Sequence, residues 1–254
     1  MVEELIRRSQ EFLKKDIERF RAMNYEALAQ ARQLSERECE ADALRNIAIG
    51  ERYVRNFDLA RYYALMALNI ERELGRSGAE AETLCVLGRI SRESGDSAHA
   101  ESYFLKAMEI LDRAGESRGR TMALTSLGGL AFDSGRIDEA LVFLQHAKAL
   151  YEAEENEEGI AGLRINYSLI YLEQGDHDRA ITEAIAAYRT FQRLDQPRNI
   201  VFSEANLGKI MARTGNAKAA REYYEAALLR ASEVHMDSLQ LEIENELAAL
   251  PRVL

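Results

Sequence analysis

Apolar and small residues recur along the chain with a step of forty residues. Each step brings a large residue followed directly by a small one, then two positions that hold alanine in every copy. The large residues are Ile47, Leu87, Leu127, Tyr167 and Leu207, and the small ones are Ala48, Gly88, Gly128, Ser168 and Gly208. The alanines are Ala60, Ala100, Ala140, Ala180 and Ala220, with Ala67, Ala107, Ala147, Ala187 and Ala227. A repeat of this length predicts an array of similar structural units.

Each unit is predicted to be a pair of antiparallel helices, A and B. The two alanine positions are seven residues apart, which places them on one face of helix B. A glycine ends helix A because it adopts the left-handed conformation without a steric cost: Gly95, Gly135, Gly175 and Gly215. Acidic or amide residues at or near the next helix start can cap helix B: Asp58, Asp96, Asp138, Asp178 and Asn216. The predicted fold class is all-α, a right-handed α-solenoid (superhelix).

The two ends of the chain extend this pattern. A first amphipathic helix is predicted over about residues 3–21, and a second helix contains Asn24 to Leu28. Ala27 lies thirty-three residues before Ala60, which predicts a shorter first step. At the other end, an apolar stripe of Leu239, Ile243, Leu247 and Leu250 predicts an unpaired closing helix.

These residues resemble the tetratricopeptide repeat. That family places a large–small pair in helix A, glycine in the turn and alanines in helix B, as in Leu87-Gly88, Gly95, Ala100 and Ala107. The family's early aromatic of helix A is replaced here, by Leu44, Leu84, Leu124, Arg164 and Glu204. The step also exceeds the family's usual length of about thirty-four residues. Arrays with a forty-residue step are similar to kinesin light chain and to bacterial regulatory proteins.

The resemblance implies one tetratricopeptide-like solenoid domain over residues 1–254. It has six hairpins and a C-terminal capping helix at residues 237–250. The predicted hairpins cover residues of about 2–38, 39–77, 78–116, 117–156, 157–196 and 197–234.

Composition narrows the classes of partner. The net charge of -10 disfavours nucleic acid and anionic membranes, because both are bound through basic surfaces. Cys39 and Cys85 lack the spacing of a metal site and suit a reducing compartment. We expect a cytoplasmic monomer or weak homodimer.

A search for catalytic chemistry gives no candidate. The histidines His99, His146, His177 and His235 are scattered and lack the spacing of metal ligands. Gly128-Gly129 falls inside helix A, where close helix packing explains it better than a phosphate loop. The prediction is therefore no catalytic residue, no metal, no cofactor and no enzymatic activity.

The resemblance also implies a binding surface, since in this family the A helices line a concave groove. The residue before each large–small pair points into that groove: Asn46, Val86, Ser126, Asn166 and Asn206. The family uses asparagine there to hold an extended peptide, through an amide that both donates and accepts hydrogen bonds. The alternative is that each asparagine simply bonds a neighbouring helix.

Other A-helix residues share this register: Arg45, Arg52, Tyr53, Arg89, Arg92, Glu93, Phe132, Asp133, Glu173, Lys209 and Arg213. The four arginines Arg45, Arg52, Arg89 and Arg92 suggest a site for an acidic segment or a C-terminal carboxylate. The alternative is pairing with nearby Glu82 and Glu93. In the middle of the groove, Phe132, Ile165 and Leu169 could offer an apolar stretch.

Two functions are compatible with such a groove. The first is a protein–protein interaction module, an adaptor or scaffold that binds a peptide or protein segment. The second is a regulatory sensor that binds a signalling peptide or small ligand and controls a partner or effector.

Overall fold

The computed structural model describes residues 1–116 and 119–251, and these residues form helices and turns with no strand. The fold class is all-α, of the tetratricopeptide-like helical solenoid kind. The chain divides into two compact units, residues 1–147 and 148–254. The predicted boundary between the third and fourth hairpins, at residue 117, lies outside the described residues. The division of the chain into six hairpins stays a prediction.

The described part of the first unit contains seven complete α-helices, a short 3-10 helix (Gln10–Phe12) and most of an eighth α-helix. These are α1 (Val2–Ser9), α2 (Ile17–Leu34), α3 (Arg37–Tyr53), α4 (Phe57–Glu73), α5 (Ser77–Glu93), α6 (Ser97–Ala114) and α7 (Arg120–Asp133). The next helix, α8 (Ile137–Ala153), crosses the division between the units. The second unit continues with α9 (Glu157–Glu173), α10 (His177–Arg193), α11 (Pro197–Arg213), α12 (Ala217–Glu233) and α13 (Asp237–Ala249).

Left-handed residues end the helices at intervals of twenty residues. Positive φ angles occur at Ser35, Arg55, Gly75, Gly95, Gly115, Gly135, Glu155, Gly175, Asp195, Gly215 and His235. The predicted turn glycines are thus confirmed, with φ of +87° at Gly95 and +81° at Gly215. The turns between hairpins use the same conformation, so each forty-residue repeat contains two turns of one kind.

The predicted caps are confirmed in part. The Asp96 carboxylate accepts a hydrogen bond from the His99 amide at 3.1 Å, and Asn216 accepts one from Ala219 at 3.1 Å. Asp178 instead lies inside the first turn of α10, and Asp176 caps that helix. Likewise, Asp58 and Asp138 follow the first residue of their helices.

Small residues let the two helices of a hairpin approach closely. All ten alanines of the two alanine columns have no exposed surface. A Cβ at Gly88 would lie 2.3 Å from a ring carbon of Phe104, and one at Gly128 would lie 2.7 Å from Leu144 Cδ2. The large–small pair therefore provides the hole that receives a side chain of helix B, as predicted.

The N-terminal region differs from the prediction. The prediction of a single helix over residues 3–21 is wrong. The helix α1 ends at Ser9, and a new helix, α2, begins after Asp16, whose carboxylate accepts a hydrogen bond from the Arg19 amide at 2.9 Å. The helix α2 begins forty residues before α4, so Ala27 corresponds to Ala67 and the shorter first step is also wrong.

A reciprocal change in size explains why that register was hard to see. Phe20 replaces the first alanine of the column, and it is fully buried. Gly50 replaces the isoleucine or leucine found at the same position in later repeats. A Cβ at Gly50 would lie 2.6 Å from Arg21 Cγ and 3.5 Å from the Phe20 ring, so the large and small residues have exchanged places.

Candidate functional site

Within each unit, successive A helices contact one another directly. The contacts join α3 to α5 and α5 to α7 in the first unit, and α9 to α11 in the second. Over the described residues of either unit, no pair of B helices has contacts as extensive. We call the exposed side of these A helices the A-helix face. The groove residues predicted from the sequence all lie on A helices.

An ion-pair ladder runs across the A-helix face of the first unit. Arg52 on α3 pairs with Glu93 on α5, and the Arg92 Nε lies 2.5 Å from the Asp133 Oδ2 on α7. The arginines lie one repeat apart, and each reaches a carboxylate of the following repeat. Phe132, beside Asp133, is half-buried at the end of α7.

Tyr53 lies at the centre of a second cluster in this unit. The Lys14 Nζ is 3.3 Å from the Tyr53 hydroxyl oxygen, and the Arg52 guanidinium carbon lies 4.5 Å from the centre of the Tyr53 ring. Burial would raise the pKa of Tyr53, but the positive charges of Lys14, Arg52 and Arg89 lower it to about 7.

Sequence reasoning missed Lys14 because it lies between the first short helices and α2, outside the repeat register. The adjacent pair Lys14-Lys15 is a basic signal in an acidic chain, but nothing in the sequence placed it against the end of α3. Arg89 was predicted, and its Nε donates a hydrogen bond to Ser126 Oγ at 3.1 Å.

Arg45 is separated from the other three arginines by its contacts. Its guanidinium lies 2.6 Å from the fully buried Glu71 carboxylate, 2.9 Å from Asp42 and 3.5 Å from Glu82. The alternative of pairing with Glu82 and Glu93 describes two of the four arginines, because Arg45 contacts Glu82 and Arg52 pairs with Glu93.

The asparagines are engaged inside the protein to different degrees. Asn46 is buried and its amide nitrogen donates to Asn24 Oδ1 at 2.9 Å, between α3 and α2. The Asn206 amide nitrogen donates to Ser168 Oγ on α9 at 2.8 Å. These two bonds match the alternative in which each asparagine bonds a neighbouring helix. Asn166, which is half-buried, makes a 3.5 Å contact with the Gly162 carbonyl of its own helix.

The A-helix face of the second unit is more apolar. Ile165 and Leu169 on α9 are half-buried, and a Cβ at Gly162 would have no atom within 4 Å. On α11, Phe202 is 44% exposed, although the sequence analysis did not select it. Its equivalents in the preceding repeats are Asp42, Glu82, Met122 and Gly162, so the repeat register alone gave no signal.

Polar residues border this apolar strip on α11. Lys209 is exposed, and the Arg213 guanidinium lies 2.6 Å from the Glu173 carboxylate of α9. The Asn206 Oδ1 is buried and has no hydrogen-bond partner within the described part of the chain. Phe132 lies in the first unit, so the predicted apolar stretch of Phe132, Ile165 and Leu169 is divided between the units.

The described residues contain no group of three His, Cys, Asp or Glu side chains placed to hold a metal ion. Across the same ranges, every helix is too short or too polar to cross a membrane.

The fold and its repeat define an α-solenoid built from helical hairpins. Residues 39–113 match the family model of the tetratricopeptide repeat, and this confirms the resemblance. No curated protein matches the chain.

Three solved structures illustrate the likeness. BtubC (BKLC) from P. vanneervenii is 18% identical with a TM-score of 0.62, over 86% of this chain and 92% of that one. The apo form of RapI is 16% identical with a TM-score of 0.72, over 92% and 84%. A Rap protein complexed with Competence and Sporulation Factor is 14% identical with a TM-score of 0.70, over 95% and 74%. At these identities the likeness shows the fold.

Proposed function

We propose that this chain is a protein-interaction module that binds a peptide or protein segment at the A-helix face of one of its units, without a catalytic step. The tetratricopeptide repeat and the fold shared with a factor-binding Rap protein support an interaction role. The observation that supports the face is its composition: apolar and amide side chains lie on consecutive A helices, together with arginines that pair with carboxylates of a neighbouring A helix. We also propose that the protein is located in the cytoplasm.

The two units offer different chemistry to such a ligand. In the first unit, Arg52, Tyr53, Arg89, Arg92 and Phe132 would receive acidic and aromatic groups. In the second unit, the half-buried Leu169 and the exposed Phe202 would receive an apolar side chain. There, Asn166, Asn206, Lys209 and Arg213 would bind its polar neighbours.

A regulatory sensor is the second candidate. The specific support is that one similar structure is a Rap protein in complex with Competence and Sporulation Factor. In a sensor, ligand binding must favour one of two conformations of the chain. Limited proteolysis with and without ligand separates the two roles, because an adaptor's cleavage pattern should change only at the bound face.

Selection from a random peptide library displayed on phage tests the proposal. We expect enriched peptides to bind the wild-type chain. Their affinity for the double variant Arg89→Glu/Arg92→Glu, or for the variant Leu169→Asp, should be at least about tenfold lower than for the wild type. Arg113→Glu is the matched charge-reversal control, because Arg113 is exposed on α6, outside the A helices, and pairs with Glu109 of its own helix at 2.7 Å. Unchanged affinity in both face variants, with melting curves that show intact folding, would exclude the A-helix faces.

A further inference from the structure

The closing helix α13 repeats the sequence pattern of an A helix. It begins forty residues after α11, and Leu247-Ala248 takes the place of the large–small pair Leu207-Gly208. On α11 the small residue lies against helix B of the same hairpin, since a Cβ at Gly208 would be 2.6 Å from a ring carbon of Tyr224 on α12. The same position on α13 is Ala248, and it is exposed.

Two further positions of α13 lack the cover that they have on α11. Leu241 is 61% exposed, although the equivalent Val201 is fully buried. Glu244 is also exposed, whereas the equivalent Glu204 is buried and its carboxylate lies 3.3 Å from the Arg230 Nε of α12. Residues three and four positions apart share one face of a helix. We call this side of α13 the open face, and it consists of Leu241, Glu244 and Ala248.

We propose that the open face binds an amphipathic helix of a partner protein, which packs on α13 as α12 packs on α11. The contacts between α11 and α12 specify two features of that helix. The first is a bulky side chain above Ala248, in the role of Tyr224. The second is a basic side chain six residues later, in the role of Arg230, that pairs with Glu244.

The open face is distinct from the A-helix face. On α11 the positions equivalent to the open face are covered by α12, whereas the A-helix face is the exposed side of the same helix. Binding of a partner helix to α13 therefore does not rest on the proposed binding of a peptide at the A-helix face.

The charge of α13 favours a basic partner helix over a second copy of α13. The whole helix is described, and its sequence contains no lysine or arginine beside four acidic residues: Asp237, Glu242, Glu244 and Glu246. Two such helices packed together would bring like charges close, at a cost in free energy. A helix with basic residues beside its apolar side would instead be attracted to α13.

A stapled copy of α12 serves as the probe. The peptide has the sequence of Ala217–Glu233 with acetylated and amidated ends, and a hydrocarbon staple replaces Glu225 and Leu229, which are exposed on α12. The staple is needed because isolated helices of this length are only marginally stable in water. Fluorescence anisotropy measures the affinity of the labelled peptide for the full chain.

Filling the space above Ala248 should block the peptide. We expect the peptide to bind the wild-type chain and to bind Ala248→Phe at least about tenfold more weakly, because the new ring occupies the place of the bulky peptide side chain. Ala249→Phe is the matched control and should retain the wild-type affinity, since the equivalent Lys209 of α11 is exposed rather than covered by α12. Circular dichroism checks that both variants stay folded.

An exchange of charges tests the orientation of the bound helix. Glu244→Lys should weaken binding of the original peptide, because a lysine then faces the peptide's arginine. A second peptide with Arg230→Glu should bind Glu244→Lys more tightly than it binds the wild-type chain. This reversal of preference requires the two residues to lie next to each other in the complex.

Three results would overturn the proposal: no binding of the stapled peptide, equal loss of affinity in Ala248→Phe and Ala249→Phe, or no reversal of preference after the charge exchange. Sedimentation velocity of the chain alone tests the other occupant. A dimer that Ala248→Phe dissociates would assign the open face to a second copy of the chain, and the partner helix would be wrong.

Discussion

The Arg45 guanidinium lies 2.6 Å from Glu71, a carboxylate that is completely removed from solvent. Thr83 also donates a hydrogen bond to Glu71 Oε1 at 3.0 Å, while Oε2 lacks a hydrogen-bond partner among the described residues. Burial raises the pKa of Glu71 to about 7, although Arg45 and Thr83 act to lower it. The pair is thus held in the core at an electrostatic cost.

This pair predicts a specific dependence of stability on pH. The Glu71 carboxyl binds its proton more tightly in the folded chain, at about pH 7, than at its ordinary value of 4.5. Its contribution to the free energy of unfolding is therefore fully present below about pH 4.5 and lost as the pH rises through 7. Relative to Glu71→Gln, the wild type should lose at most about 1.4 kcal/mol per pH unit in that window. Urea unfolding of both proteins from pH 4.5 to pH 8 measures this dependence. If the unfolding free energies of the two proteins change with pH in parallel, the prediction is contradicted.

Two glycines inside A helices predict opposite responses to alanine. A Cβ at Gly88 would meet the buried Phe104 ring at 2.3 Å, whereas a Cβ at Gly162 has no atom within 4 Å. Gly88→Ala should overpack the hairpin and cost about 1–3 kcal/mol of unfolding free energy. Gly162→Ala should stabilise by about 0.5–1 kcal/mol, because alanine loses less entropy in a helix. Chemical denaturation compares the two, and changes of the same sign would show that the hairpin packing is misplaced.

Arg55 predicts a gain from relieved backbone strain. It adopts a φ of +60° at a position where the next four repeats carry glycine. Arg55→Gly should therefore be more stable than Arg55→Ala by about 1 kcal/mol, since both variants lose the arginine contacts and only glycine relieves the strain. Thermal and urea unfolding of this matched pair give the difference directly. Equal stability would mean that the turn does not impose a left-handed residue.

The repeat made most of the fold predictable, because buried alanines and turn glycines carry a strong periodic signal. Ala107 and Gly95 are found where their register placed them. The N-terminal hairpin was misjudged because Phe20 and Gly50 exchange large and small residues across one contact, which hides the register.

The candidate site was less predictable, because register gives a side chain's position on its helix and not its partner. Asn46 had the expected position, yet a buried bond to Asn24 engages its amide. Lys14 lies outside the repeat and reaches Tyr53 only through the fold of the N-terminal segment. Phe202 lies in a column whose other members are Asp42, Glu82, Met122 and Gly162, which share no chemical character, so periodicity could not mark it.

Photo-crosslinking tests the central claim most directly. A phage-selected peptide carrying a benzophenone group is irradiated with the wild-type chain, and the adducts are located by mass spectrometry. Peptide binding at the A-helix faces predicts adducts on α3, α5 or α7 near Tyr53, Arg89 and Phe132, or on α9 and α11 near Leu169 and Phe202. Adducts confined to exposed residues of the B helices, such as Leu105 on α6 or Leu229 on α12, would contradict it.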